Sequence, residues 1–236
     1  MHCNAPFADS NTQTTQPDTA MTAATTAKSF CAAPLLERDY WNQRYQTKAF
    51  IWTQTANQFL MAEAASLTPG RALDLAAGEG RNAVWLAEQG WSVDAIDFSD
   101  VAIDKGRQLA DARQVSGQVR FEVADLRTHT PEEQAYALVV VMYLQLPLAE
   151  LAPILARAVR AVAPGGTFLL VGHDSENLAR GVGGPRHPDM LYTAAQVTAL
   201  IGDALDIRQA CQVERLVRSD DGDKVALDCL VRGQRV

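Results

Sequence analysis

No apolar run in this chain is long enough to cross a bilayer, and the N-terminus lacks the basic-then-apolar layout of a secretion signal. A cytoplasmic protein without membrane contact is expected. Cysteine is scarce: Cys3, Cys31, Cys211 and Cys229 form no C-x-x-C pair and stand in no His-rich spacing, so neither a redox pair nor a metal site is expected. Cys211 and Cys229, inside strand-like segments, read as small buried hydrophobes. Basic residues are in the minority, 21 Lys and Arg against 28 Asp and Glu, for a net charge of −7. That balance argues against a broad nucleic-acid surface, which draws its affinity from clustered cations, and favours a small-molecule partner.

Large apolar side chains are nearly absent from the first thirty residues, where Thr, Ala, Asn, Gln and Ser dominate. Such a segment buries too little surface to offset its ordering entropy, so residues 1–34 are expected to be a disordered tail. Met21 is an alternative start. Residues 35–236 then form one domain, with ample hydrophobic content for a single core.

Within that domain strands and helices alternate. Helical patterns cover 35–46 and 57–67, and Pro69-Gly70 breaks the second. Strands are expected at 71–76, 92–97, 119–123, 137–143 and 167–171, with helices at 80–89, 99–112 and 148–162 between them. Ser99 is placed to cap the second of these helices. The runs at 138–142 and 168–171 are continuously apolar, as strands buried on both faces are. After a Gly/Pro-rich loop at 181–188, Thr193-Ala-Ala-Gln196 has the form of a capping box. Two last strands, 207–215 and 224–231, flank an Asp-Gly reversal within 219–223, so an antiparallel hairpin closes the chain.

The most informative segment is Arg71-Ala-Leu-Asp-Leu-Ala-Ala-Gly-Glu-Gly-Arg-Asn82, a strand that runs through a small-residue loop into a helix. Nucleotides bind at such junctions in open α/β sheets. Gly78 to Ala83 also fits the G-x-G-x-x-G/A dinucleotide fingerprint, so an NAD(P)-dependent oxidoreductase is one reading. Charge points elsewhere. A pyrophosphate wants backbone N–H groups without competing anions, whereas Asp74 precedes this loop and Glu79 lies inside it. Two carboxylates suit a cation such as S-adenosylmethionine, which bears a sulfonium and an ammonium. Asp97, ending the second strand, stands where an acid takes both ribose hydroxyls.

With Leu73-Asp-Leu-Ala-Ala-Gly-Glu-Gly80 and this order of elements, the chain resembles the class I S-adenosylmethionine-dependent methyltransferases from about Tyr40 to Val231. The strings Gly78-Glu-Gly-Arg-Asn82, Tyr40-Trp-Asn-Gln-Arg-Tyr45 and Gly183-Gly-Pro-Arg-His-Pro-Asp-Met-Leu-Tyr-Thr193 look most like its tellurite-resistance and thiopurine-type branch. The resemblance implies a Rossmann-like, doubly wound sheet of seven mostly parallel strands ending in the antiparallel hairpin. It implies that Asp74 orders the loop or meets the cofactor's amino group, and that Gly78 and Gly80, with Asn82 beside them, form the floor under the amino-acid part. Ala76 stands where the family often has glycine. The resemblance also places Phe98 on the adenine, has Asp125 accept from the adenine amino group while the Leu126 N–H reads the ring, sets Met142 and Tyr143 against the sulfonium, and makes Tyr45 a lid.

Methyl transfer to a thiol, a thiopurine or a chalcogen oxyanion such as tellurite needs no strong base, whereas an amine or hydroxyl acceptor does. His173, with Asp174 next to it, is the candidate base, and His187 is a further candidate for lining the acceptor pocket. A protein that binds the cofactor without turning it over is the non-enzymatic alternative.

Overall fold

The apolar run at 138–142 becomes the centre of a seven-stranded sheet in the computed structural model, which describes residues 37–218 and 222–236. The strands are β1 (Arg71–Leu75), β2 (Ser92–Asp97), β3 (Val119–Val123), β4 (Tyr136–Met142), β5 (Val162–His173), β6 (Asp206–Val217) and β7 (Lys224–Gln234). Their order is β3-β2-β1-β4-β5-β7-β6, and β7 runs antiparallel to both of its neighbours while the remaining pairs are parallel. This is the doubly wound, mostly parallel sheet with a closing antiparallel hairpin that the sequence predicts. The expected tail at 1–34 and part of the hairpin's reversal lie outside the described residues.

Period-two alternation explains why these strands read as unbroken apolar runs. Leu138, Val140 and Met142 face one layer, with α2 (Gln58–Ala64), α3 (Arg81–Glu88) and α4 (Asp100–Ala112) supplying Leu60, Leu86 and Leu109. Val139 and Val141 face the other, with α5 (Leu148–Ala161) and α7 (Ala194–Ile201) supplying Leu155 and Val197. Each strand residue thus finds a hydrophobic partner whichever way it points. The remaining helices are α1 (Arg38–Gln46) and the short α6 (Asn177–Arg180).

Local signals place most boundaries. The Ser99 hydroxyl accepts from the Ala102 N–H at 3.1 Å to cap α4, and Thr193 and Gln196 complete the capping box of α7. Some elements differ from expectation. Helix α1 starts at Arg38, and α2 stops at Ala64 instead of continuing to Leu67. Strand β5 is far longer than 167–171, because the Pro164-Gly-Gly segment forms an irregularity inside the strand, with the register against β4 shifting between Tyr136 and Leu138. Both hairpin strands are also longer than expected, since each pairs along the whole length of the other.

The order reverses between β1 and β4, so the chain leaves these adjacent strands toward opposite sides and opens a crevice at their C-terminal ends. Both strands exit through a left-handed residue that is not glycine, Ala76 at φ 62° and Tyr143 at φ 58°. A side chain in that region costs about 1–2 kcal/mol, and strain of this kind collects at functional sites.

At the N-cap of α3, Gly80 combines a φ of 76° with tight packing: a Cβ there would sit 2.9 Å from the Gly106 Cα and 2.9 Å from the Phe121 ring. Gly80→Ala is therefore expected to lower unfolding stability by about 2–4 kcal/mol, conformational strain and overpacking adding together. Urea denaturation followed by circular dichroism measures this, and a change within error of zero contradicts the packing account.

Candidate functional site

The crevice is lined first by acids with very different surroundings. Asp74, on β1, is fully buried, and neither carboxylate oxygen has a hydrogen-bond partner among the described residues. Burial, with the nearby Asp97 charge adding to it, pushes its carboxyl up to about 7. Asp94 shows the contrast. It is also largely buried, yet it accepts from Arg120, Arg71 and the Tyr136 hydroxyl, and these bonds outweigh burial to hold it below the ordinary carboxylate value. One acid staples the far end of the sheet, and the other makes no hydrogen bond among the described residues and has only the Arg81 charge nearby to offset its burial.

Asp97 ends β2, and its carboxylate accepts from the Gly78 N–H at 2.8 Å and the Ser99 N–H at 2.9 Å. Burial nevertheless raises it, to about 6. Gly78, at φ 55°, offers no side chain to the Tyr45 hydroxyl, which would lie 3.0 Å from a Cβ there. In this structure, then, Asp97 orders the glycine loop, one of the two tasks the family resemblance gave to Asp74.

Glu79 departs from expectation. The charge argument directed both loop acids at a cationic ligand, but Glu79 turns away: its oxygens accept from the Ile51 N–H at 3.0 Å and the Trp52 N–H at 3.0 Å, and from Lys105 Nζ at 3.1 Å. Lys105 also donates to the carbonyls of Tyr45 and Lys48. Asn82 is spent similarly, its side-chain oxygen accepting from the Asn57 N–H at 2.9 Å. Three side chains, Glu79, Asn82 and Lys105, therefore clamp the segment from Tyr45 to Asn57 over the loop. Tyr45 is buried within it, and desolvation raises its hydroxyl well above the ordinary tyrosine value.

Phe98 is half-buried beside Asp97, and Leu126 is buried in the α5-side core. Asp125 is already engaged, because Arg127 grips it with Nε at 3.0 Å from each oxygen and Nη2 at 2.7 Å from one, which lowers its carboxyl despite partial burial. An adenine amino group would share this carboxylate with Arg127. Met142 is buried at the end of β4.

Around Tyr143 lies a second group of charges. His173 is the last residue of β5, not a residue beyond it, and stands directly opposite Asp228 of β7 in the antiparallel register. Its Nδ1 is 3.0 Å from Asp228 Oδ1, although off the line of an ideal hydrogen bond. The other Asp228 oxygen accepts from the Tyr143 hydroxyl at 2.7 Å and Arg215 Nε at 2.7 Å. Burial pushes the Asp228 carboxyl up, but His173, Arg215 and Tyr143 together carry it below its ordinary value. Asp174, named beside His173 as a possible helper, instead accepts from the Gln212 amide at 3.0 Å and the Glu176 N–H at 3.0 Å. His187 Nδ1 accepts from the Asp189 N–H at 3.3 Å, starting a short 3₁₀ turn. Cys229 is buried with its thiol pushed up to about 12 by desolvation, which fits an inert core residue.

Sequence reasoning missed Asp228 and Arg215. The available signal was an acid inside Lys224-Val-Ala-Leu-Asp-Cys-Leu-Val231, an otherwise apolar run. A charge there must be paired.

A methyltransferase-domain family matches residues 72–166, the span from β1 into β5. The 2-heptyl-1-hydroxyquinolin-4(1H)-one methyltransferase of Mycobacteroides abscessus is 27% identical over 121 residues, which cover 50% of this chain and 52% of that protein. The demethylmenaquinone methyltransferase of Deinococcus radiodurans is 32% identical over 112 residues, 47% of this chain and 46% of that one. The chain thus spans about half the length of the curated relatives it matches. Among solved structures, TehB from Haemophilus influenzae superposes with a TM-score of 0.64 at 15% identity, covering 84% of this chain and 67% of TehB, a likeness of fold.

Two measurements check the geometry. Glu79→Gln should weaken the clamp and lower hydrogen-exchange protection of the Ile51 and Trp52 amides about tenfold or more, given the ~1–3 kcal/mol carried by bonds to a charged acceptor; unchanged protection contradicts it. Asp74 gives a pH signature. An acid whose folded pKa lies above its unfolded value holds its proton more tightly when folded, so its contribution is complete below the unfolded value of 3.8 and is lost as pH rises through about 7. In the ligand-free protein, Asp74→Asn should gain roughly 1–3 kcal/mol over the parent at pH 8 and nothing at pH 4. Equal pH profiles for the two proteins rule this out. The fold is that of the class I methyltransferases, and residues 72–166 match a methyltransferase-domain family.

Proposed function

We propose that the chain, over a domain spanning 35–236, is an S-adenosylmethionine-dependent methyltransferase acting on a small molecule. The observation that carries this reading is Asp74: a buried carboxylate without a hydrogen-bond partner, beneath a loop in which Gly78 and Gly80 take left-handed backbone, fits a ligand that brings its own positive charge. A pyrophosphate would add anions beside Asp74 and Asp97, which disfavours the NAD(P) reading. Once bound, the cofactor supplies an electrophilic methyl group.

The residues assigned to hold it are Asp74, Ala76, Gly78, Gly80, Asp97, Phe98, Asp125, Leu126, Met142 and Tyr45. Asp97 has its two oxygens aligned by the Gly78 and Ser99 N–H groups, in position for a ribose. Asn82 serves the reading indirectly, by holding Asn57 and so the lid. His173 is assigned as the base. For the acceptor, a thiol, a thiopurine or a chalcogen oxyanion follows from the branch that the sequence resembles, while the two curated relatives are named for a hydroxyquinolone and for demethylmenaquinone.

Titration calorimetry tests the cofactor. S-adenosylmethionine and S-adenosylhomocysteine should bind and NADH should not. If Asp74 ionises to meet the donor's charge, donor binding near pH 6.5 releases about half a proton or more, seen as a dependence of the heat on buffer ionisation enthalpy and absent in Asp74→Asn. No donor binding at millimolar concentration overturns the proposal. Labelled donor offered with thiols, thiopurines, tellurite, phenols and N-hydroxyquinolones then identifies the acceptor, and binding without any turnover supports the sensor alternative.

A further inference from the structure

We infer that the charge cluster around Tyr143 is the acceptor site, and that it takes a small molecule whose reacting atom bears an acidic proton, an aryl hydroxyl, N-hydroxyl or thiol, held as its anion. This rests on the methyltransferase reading and narrows it. His173 receives the proton, and Asp228 is the residue that positions it.

The first support is the pairing itself. His173 and Asp228 are cross-strand partners in the β5–β7 register, and Asp228 Oδ1 stands 3.0 Å from Nδ1, so the proposal places the ring's resting proton on that nitrogen. Nε2 then has a free lone pair, and no hydrogen bond from another described residue reaches it. The Gly/Pro loop packs against the ring at a distance only glycine allows: a Cβ at residue 184 would stand 2.7 Å from His173 Cδ2 and 3.0 Å from Nε2. Tyr143 packs on the imidazole with ring centroids 4.9 Å apart.

The second support is an unspent cation. Arg81, first residue of α3, bonds only the Thr53 hydroxyl, at 2.9 Å, and makes no ion pair among the described residues. Burial lowers its guanidinium below the ordinary value; the charges that face it are Tyr143, Arg215, Asp74 and Tyr45. Arg215 is committed to Asp228, so Arg81 is left to stabilise an incoming negative charge. Arg81 is half-buried and faces Asp74 without bonding it, which leaves its guanidinium available to an anion that arrives with the substrate.

The step is a proton transfer. The acceptor's X–H bond breaks, an N–H bond forms at Nε2, and the electron pair remains on X, leaving an anion between an imidazolium and Arg81. The groups that set the imidazole's charge are Asp228 on β7, Arg215 on β6, Tyr143 after β4 and Arg81 on α3.

The test uses three ionisable, coloured probes, 4-nitrophenol, 4-nitrothiophenol and 2-heptyl-1-hydroxyquinolin-4(1H)-one, mixed with the full chain and saturating S-adenosylhomocysteine, so that no methyl group is available. At least one should bind as its anion, detected by absorbance, at a pH about one unit below its own titration, a tenfold shift. Little proton should reach the buffer, because His173 keeps it. His173→Gln should abolish the shift, Arg81→Met should reduce it severalfold, and Asp228→Asn should lose it with partial return in Asp228→Glu. If Asp228→Asn fails to fold, His173→Gln and Arg81→Met decide alone. Probes that bind but titrate as in free solution overturn the inference, as does a shift that survives His173→Gln or a failure of all three probes to bind. Failure of S-adenosylhomocysteine itself to bind, measured separately, brings down the methyltransferase reading instead.

Discussion

Burial of Asp74 without a partner is the constraint on which the rest of the crevice turns. An ionised carboxylate in that position is removed from the protein surface and Asp97 nearby makes ionisation harder still, with the Arg81 charge as a smaller opposing pull. A fold optimised for stability alone would place an amide or an apolar residue there. The acid is tolerable because the sheet around it is over-determined: β1 lies between β2 and β4, both neighbouring strands are buried on both faces, and the loop after β1 is tied to β2 through Asp97 and the Gly78 N–H. The left-handed Ala76 immediately after β1 adds conformational strain at the same spot. Strain and an unpaired charge side by side are what a binding site retains and a purely structural turn discards.

Cover for that site comes from outside the alternating αβ units. Glu79 sits in the loop but serves the preceding segment, and Lys105 reaches across from α4 to the same carboxylate and to two backbone carbonyls. Because Glu79 is anchored on the loop that would hold the ligand, any shift of that loop is transmitted to Ile51 and Trp52, and through Lys105 to Tyr45. Position of the loop and position of the cover are therefore one variable. Asn82 acts in the same sense from the first turn of α3, holding the Asn57 N–H, while the Asn57 side chain donates to the Tyr143 hydroxyl at 3.3 Å. The cover thus spans both charge clusters and links them.

Most of the sheet was legible in the sequence because its signal is local. Five strand patterns, two of them continuously apolar, separated by helical periods leave little choice but a parallel sheet, and the caps at Ser99 and Thr193 act within three residues. Strand ends were less legible: β5 and the two hairpin strands gain length from partners far away in sequence. At the site the same division holds. Asp74, Gly78, Gly80 and Asp97 follow from their places at strand ends. Glu79 was misread, since a sequence shows that a charge is present and not which way it points; its partners lie 26 to 28 positions away. Asp228 was missed for a related reason. Its meaning comes from His173, across a register that only the folded hairpin defines.

Taken together, the two clusters bring charges of both signs into one layer. Asp74 and Asp97 hold the β1–β2 side, Asp228, Arg215 and His173 surround Tyr143 on the β4–β5 side, and Arg81 faces both Asp74 and Tyr143. By period-two alternation Asp74, beside Ala72, and Asp228, beside Leu230, project from the same face of the sheet. Transfer of a group from a cation to an anion annihilates charge, and water slows such reactions because it solvates both ions better than the transition state between them. A site that fixes a negative end and a positive end in advance replaces that solvation with dipoles and charges that need not reorganise. The net charge of −7 would otherwise repel an anionic acceptor, and on the proposed reading the Arg81 guanidinium opposes that repulsion locally. On the proposed reading, Asp74 and Arg81 face each other without bonding in the ligand-free protein, and each is the complement of one reactant.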